Sequence, residues 1–255
     1  MARKAREIMK EITSLQNPLI KHLVKLRDDR KYRYEKKKVV IEGKKIVEEL
    51  LLQYAQGFLF VTDPLLVPKE ARGKDCYLVT KDILKKISGV QAPEGVIAEL
   101  PFPPEADFEK VNYLLALDGV SDPGNLGTLL RSALALGWDG VFILNNCCDP
   151  FNDKALRAAK GATFKIPIKS GSWEELESIA SKNGLIPLAA DIKGDDAGKL
   201  DHLQKVLLVL GGEAKGLSEK TREICRTITV PISSRMESLN VSTAGGIIMY
   251  LLKYK

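Results

Sequence analysis

Long apolar runs, histidine and paired cysteines are what this 255-residue sequence has least of. The strongest apolar stretches, VLLVL (Val206–Leu210) and IIMYLL (Ile247–Leu252), fall far below the ~20 residues of a membrane-spanning helix, so no membrane partner is expected. The basic start, MARKAREIMKEITS, has no apolar core of a secretory signal, and a cytoplasmic protein is expected. His22 and His202 are the only histidines and no C-x-x-C pair exists, so no metal is expected. Cys76, Cys147, Cys148 and Cys225 read as reduced thiols of an intracellular protein. Hydrophobic residues at 45% and charged residues at 28% exclude disorder and leave enough apolar mass for a real core.

What is present is an uneven charge. The net charge is +6, yet residues 1–50 hold 15 Lys+Arg against 8 Asp+Glu, and the remainder holds 24 against 25. The whole positive excess therefore lies in the first fifth of the chain. Lys21, Lys25, Arg27, Arg30, Lys31, Arg33 and Lys36 to Lys38 crowd there, with Tyr32 and Tyr34 between them. Dense cations bind a polyanion by releasing its counterions, and aromatic rings stack on unpaired bases. RNA or DNA contact through residues such as Lys21, Arg27 and Lys31 is expected, with a merely solvated helix face as the alternative.

Strand and helix signals alternate along the chain. Asn17-Pro18 reads as a cap and first helical residue ahead of Leu19, Leu23 and Leu26. VVIE, FLFVT, CYLVT and GVIAEL read as strands, KKIVEELLLQYA as a helix ending near Gly57, and KDILKKIS as another helix. This is a small α/β unit over residues 1–100. The Pro-rich PFPPEADFEK makes 101–110 a linker, and 111–255 a second α/β domain with a parallel sheet. There LLALDG, VFIL, FKIPI, LIPLAA, VLLVLG and TITVPI read as strands. SWEELESIASKNG is a helix capped by Ser172 with Gly184 beyond it, and the last helix starts with Ser238 as its cap.

In doubly wound sheets ligands sit at the carboxyl ends of strands, which singles out three loops. The first, DGVSDPGNLGTLLR (Asp118–Arg131), opens a helix. Asn125 there reads as a cap or as a working amide, and Arg131 is a guanidinium in an otherwise apolar helix that must find an anion or water. The second, LGGEAKGL (Leu210–Leu217), sets Glu213 in a glycine turn but is neither a P-loop nor G-x-G-x-x-G, which disfavours a Rossmann oxidoreductase. The third, VPISSRMESLNVSTA (Val230–Ala244), leads into a helix whose Gly245 and Gly246 suggest close backbone packing.

Taken in order, D-P-G-N-x-G-x-x-x-R, L-x-L-G-x-E-x-x-G-L and P-I-x-x-x-x-x-S-L-N-V-S closely resemble the three motifs of the SpoU-type (TrmH-like) RNA ribose methyltransferases of the SPOUT superfamily. LRAAKGA (Leu156–Ala162) resembles a fourth element, and residues 1–100 resemble the family's N-terminal substrate-binding domain, itself similar to RNA-binding ribosomal proteins. The resemblance implies a C-terminal parallel-sheet domain with a deep trefoil knot, formed by the loops after VLLVLG and TITVPI. It implies S-adenosyl-L-methionine as methyl donor and the 2′-hydroxyl of a ribose, in rRNA by the two-domain layout, as acceptor. A tRNA ribose methyltransferase and a catalytically inactive RNA-binding or ribosome-assembly factor are the alternatives. By motif, Asn125, Arg131, Glu213, Ser238 and Asn240 are implied in the active site, and Gly211, Val230, Ile232 and Leu239 in the cofactor pocket. A homodimer is implied, with Ile247, Ile248, Leu251 and Leu252 as a contact face or as ordinary core. Ser234, Ala214-Lys215 and Ala159 depart from the usual family pattern.

Overall fold

A computed structural model describes residues 9–54, 57–71, 75–213 and 216–255. The Ala214-Lys215 departure and the first eight residues lie outside them. Two compact units form: the described part of Met1–Pro103 with Phe151–Asp153, and Pro104–Pro150 with Lys154–Lys255. The change of unit falls within PFPP, where proline withholds backbone donors and stiffens the chain.

The N-terminal unit contains β1 (Lys10–Ile12), α1 (Pro18–Asp28), α2 (Arg30–Lys36), β2 (Lys38–Glu42), α3 (Lys44–Leu51), β3 (Phe58–Val61), β4 (Asp75–Val79), α4 (Lys81–Ser88) and β5 (Val96–Pro101). Its five-stranded sheet runs β1-β4-β3-β5-β2, with β5 antiparallel to both neighbours. Asn17 caps α1 by accepting the Leu19 amide at 2.9 Å. Ile20, Leu23 and Leu26 then pack with Ile83, Leu84 and Ile87 of α4 over Phe60, Val79 and Ile97. The helix expected to reach Gly57 stops at Leu51, because its buried stripe of Val47, Leu50 and Leu51 ends there and Leu52 faces solvent.

Helix α2 is hidden in the basic run, since it has no apolar periodicity. Polar contacts hold it instead. Asp29 accepts the Tyr32 amide at 3.1 Å, and buried Arg33 donates to the carbonyls of Leu26 (2.5 Å) and Arg27 (2.7 Å) at the end of α1. Between these elements Glu99 is fully buried in β5, where Lys38 Nζ lies 2.5 Å from Oε1 and His22 Nε2 3.1 Å from Oε2. His22 Nδ1 is hydrogen-bonded to the Tyr32 hydroxyl at 2.8 Å.

The C-terminal unit contains β6 (Tyr113–Asp118), α5 (Pro123–Ala135), β7 (Gly140–Leu144), α6 (Asp153–Ala159), β8 (Ile168–Gly171), α7 (Trp173–Asn183), β9 (Ile186–Asp196), β10 (Val206–Gly211), α8 (Glu219–Ile224), β11 (Arg226–Thr229) and α9 (Val241–Tyr254). The six strands are all parallel in the order β11-β9-β10-β6-β7-β8. Alternate residues of the central strands feed two cores. Leu115, Leu117, Val141, Ile143, Leu208 and Leu210 face one side, and Leu114, Ala116, Phe142, Leu144, Leu207 and Val209 the other. Ser172 forms a full capping box with Glu175, and Gly184 closes α7 in the left-handed conformation.

Three expectations shift. FKIPI is not a strand: a short 3-10 turn covers Ala162–Phe164 and the strand begins only at Ile168, after Pro167, which has no ladder donor. Ser238 does not cap the last helix; Asn240 does, its Oδ1 accepting the amides of Ser242 (2.9 Å) and Thr243 (3.3 Å). Of the glycine pair in α9, only Gly245 marks close packing. A Cβ there would lie 2.5 Å from Leu210 Cδ1, whereas Gly246 has nothing nearer than Ser132 Oγ at 4.0 Å.

Candidate active site

Strands β6, β10 and β11 all deliver their loops to the carboxyl edge of the parallel sheet. Asp122 caps α5, accepting the Asn125 amide at 2.8 Å. That assignment decides the first open question. Because Asp122 does the capping, the Asn125 side chain is released for tertiary contacts. Its Nδ2 donates to Glu213 Oε1, and its Oδ1 accepts from Asn240 Nδ2 at 3.0 Å. One carboxamide thus joins residues 88 and 115 positions away in sequence.

Glycines make that convergence possible. The Gly212 amide donates to the Asp118 carbonyl at 2.9 Å, and a Cβ on Gly212 would lie 2.1 Å from the Gly119 carbonyl oxygen. Gly216 returns the turn to Gly212, donating to its carbonyl at 2.8 Å. Glu213 sits exposed on this turn, and among the described residues its Oε2 has no hydrogen-bond partner.

The structure does not bring Arg131 or Ser238 into this constellation. The buried stripe of α5 is Leu126, Gly127, Leu129, Leu130 and Ala133, and Arg131 points away from it beside Thr128 and Ala135. The expected burial is therefore wrong: the guanidinium is exposed, and among the described residues it has no ion-pair or hydrogen-bond partner. It also stands six residues beyond Asn125, a rise of about 9 Å along the helix. Ser238 is exposed and makes no hydrogen bond among the described residues.

The residues expected around a cofactor have the chemistry for an adenosyl group. Gly211 is half-buried at the end of β10, and Val230, Ile232 and Leu239 lie on the loop between β11 and α9. Ile232 and Leu239 are exposed apolar side chains. Among the described residues, the amides of 231–239 with internal acceptors are those of Arg235 and Met236, both bonded to Ser233. Free amides beside apolar side chains suit a flat, hydrogen-bonding aromatic ring. Ser234 lies in this exposed stretch.

Asp118 is a site residue that the sequence does not announce. Only 2% exposed, it accepts from Asn146 Nδ2 (2.8 Å), Thr221 Oγ1 (2.6 Å) and the Ser218 amide (3.4 Å). Burial pushes its carboxyl up, but these donors together hold it below the ordinary aspartate value. The one signal for it is an acidic residue ending a strand that is otherwise largely apolar. No disulfide joins cysteines among the described residues; burial pushes Cys147 up to about 11 and Cys148 and Cys225 up to about 12, so these three stay protonated at neutral pH. No group of three His, Cys, Asp or Glu among the described residues could hold a metal ion, and no helix among them is long and apolar enough to cross a membrane.

In the N-terminal unit the basic residues divide. Lys21 and Lys31 are exposed, but Arg27 is spent on the fold. Its Nη1 donates to the carbonyls of Lys86 (2.8 Å) and Ile87 (3.0 Å) at the end of α4, while Nε pairs with Asp28 at 2.8 Å. Tyr32 is half-buried with Lys25 Nζ 4.3 Å from its ring centroid, so of the two tyrosines Tyr34 is the more open.

Residues 112–250 match the SpoU rRNA Methylase family, and residues 17–98 match the MRM3-like substrate binding domain. The 23S rRNA (guanosine(2553)-2'-O)-methyltransferase RlmP of Bacillus subtilis is 31% identical over 96% of this chain and 100% of its own. The AdoMet-bound rRNA methyltransferase of Sinorhizobium meliloti superposes with a TM-score of 0.85 at 30% identity, covering 96% of this chain and 97% of that one. The SpoU methyltransferase AviRb of Streptomyces viridochromogenes shares the fold at 22% identity, with a TM-score of 0.82 over 93% of this chain and 97% of that one. A family match spanning more than half of the sequence, and a relative aligned along its whole length, agree with the two-unit fold and the convergent loops: this chain belongs to the SpoU rRNA Methylase family.

Proposed function

We propose that this protein transfers the methyl group of S-adenosyl-L-methionine to the 2′-hydroxyl of one ribose in rRNA. The observation carrying this reading is the Glu213–Asn125–Asn240 chain of hydrogen bonds, which assembles three separate loops at the carboxyl edge of the sheet. Gly211, Val230, Ile232 and Leu239 would hold the cofactor, which supplies an electrophilic methyl on a sulfonium sulfur when bound. The sulfur–methyl bond breaks as the oxygen–methyl bond forms, and the hydroxyl proton must leave. A guanidinium already carries its proton at neutral pH and cannot accept another. Arg131, exposed and unpaired among the described residues, is instead suited to grip an RNA phosphate. Glu213 keeps one carboxylate oxygen open to take the proton, while Asn125 and Asn240 fix its direction. Ser238 contributes only if loop 231–239 closes on a ligand.

Lys21 and Lys31 would carry the RNA contact of the N-terminal unit, in keeping with its match to a substrate binding domain. The knotted threading of the loops after β10 and β11 belongs to the same proposal, as do a cytoplasmic location and a homodimer. The dimer face is revised. Ile248 and Leu252 are core residues, whereas Ile247, Tyr250 and Tyr254 are exposed on α9. Sedimentation should give about twice the 28.2 kDa chain mass, and a monomer at micromolar concentration would remove the dimer.

The deciding experiment maps 2′-O-methyl positions in total RNA with and without the protein. One rRNA ribose losing its mark supports the reading. A mark lost from tRNA redirects it to tRNA, and an unchanged map with RNA binding intact favours the assembly factor.

A further inference from the structure

Asp118 joins three loops at the carboxyl edge of the sheet. Its Oδ1 accepts from Asn146, in the loop after β7, and its Oδ2 accepts from Ser218 and Thr221, at the start of α8. Its own carbonyl takes the Gly212 amide. Asn146 cannot turn away, because its Oδ1 is occupied by the Gly119 amide at 3.1 Å. Thr221 is fully buried and is itself braced by Ser218 Oγ at 2.8 Å. Glu213 lies between Gly212 and Ser218, two points that Asp118 holds, and it meets Asn125 from there.

We propose that Asp118 is a positioning residue for methyl transfer: its carboxylate fixes the turn that carries Glu213, and through Glu213 sets the Asn125–Asn240 pair. The role in transfer rests on the function proposed above; the clasp itself does not. The geometry demands a carboxylate rather than any polar group of that size. Asn146 Nδ2 and the Ser218 amide are donors on opposite oxygens, so an asparagine at position 118 must set its own NH2 against one of them in either orientation. A buried donor left facing a donor is costly, and the turn is the element free to move.

The test compares wild type with Asp118→Asn, Thr221→Val and Thr221→Ser. Amide exchange is read at Gly212 and Gly216, binding of S-adenosylmethionine by calorimetry, and KM for cofactor and RNA with kcat. In Asp118→Asn, exchange at both glycines should rise and kcat should fall about tenfold, with the KM for RNA unchanged. Thr221→Val should move the same readouts less, and Thr221→Ser should restore them, which a general loss of stability would not reproduce. Unchanged exchange in Asp118→Asn overturns the clasp, as does equal behaviour of the valine and serine variants. A wild type that binds no cofactor, while Asp118→Asn still frees the glycines, overturns the functional reading instead.

Discussion

Two buried carboxylates, one in each unit, are treated in opposite ways. Glu99 lies in the middle of β5 and meets Lys38 and His22, so its charge is answered by basic groups from β2 and α1. Asp118 lies at the end of β6 and meets neutral donors only. The first arrangement staples a sheet to its helix. The second leaves a negative charge standing at the edge where the loops converge, held by dipoles that a loop movement would break. The N-terminal unit spends its polar side chains on its own architecture, whereas the C-terminal unit spends them on holding loops in register. The arginines divide the same way: Arg27 and Arg33 close helix ends, and Arg131 stays unpaired among the described residues.

The largest effects should separate the units by what they damage. Asn125→Ala and Glu213→Gln should each lower kcat by about 10²–10³-fold with folding stability nearly unchanged, since both residues lie at the exposed edge. Methyl transfer from labelled cofactor reads the first quantity and urea unfolding the second. Activity within a few-fold of wild type would strip these residues of their proposed roles. Lys38→Met should do the reverse, leaving Glu99 buried with only His22. The cost should be about 2 kcal/mol, less than the ~3–5 kcal/mol for a fully buried pair because the lysine side chain is 41% exposed. The folded fraction should keep its kcat.

A smaller effect tests Asp118 by pH. The folded-state value of Asp118 is depressed, so its stabilisation is complete above the ordinary aspartate range near 4 and disappears as pH falls through the depressed value. Wild type and Asp118→Asn should therefore differ by a constant amount above about pH 5 and converge only on acidification below about pH 4, as followed by urea unfolding. A gap that stays constant below about pH 4 would mean the carboxylate charge is not what the loops need.

How far these distinctions are legible in the sequence follows from where the information lies. Asn17 and Ser172 are legible as caps because a cap depends on residues two or three positions away. The central strands are legible because both faces are buried and nearly every position is apolar. Helix α2 is not, because Arg33 and Asp29 stabilise it rather than an apolar stripe. Asn125 and Asn240 stand out by motif, but which of them is a cap is decided only by Asp122 occupying that place for α5. Arg131 misleads because an apolar composition says a helix is buried without saying on which side. Asp118 escapes notice because its partners sit 28, 100 and 103 residues away.

The smallest effect concerns the positive charge that first suggests RNA. Lys21 and Lys31 are exposed, so reversing either should weaken RNA binding and reduce the magnitude of its salt slope by about one for each phosphate no longer neutralised. Arg27 carries the same formal charge but already donates to two carbonyls and one carboxylate. Arg27→Met should therefore leave the salt slope unchanged and register as a fall in stability, about 1–3 kcal/mol from the two charged hydrogen bonds to the end of α4. Filter binding across a salt series, run beside urea unfolding, measures both. Should Arg27→Met flatten the slope as much as Lys31→Glu, the arginine leaves its carbonyls for RNA, and the division of labour between the units no longer holds.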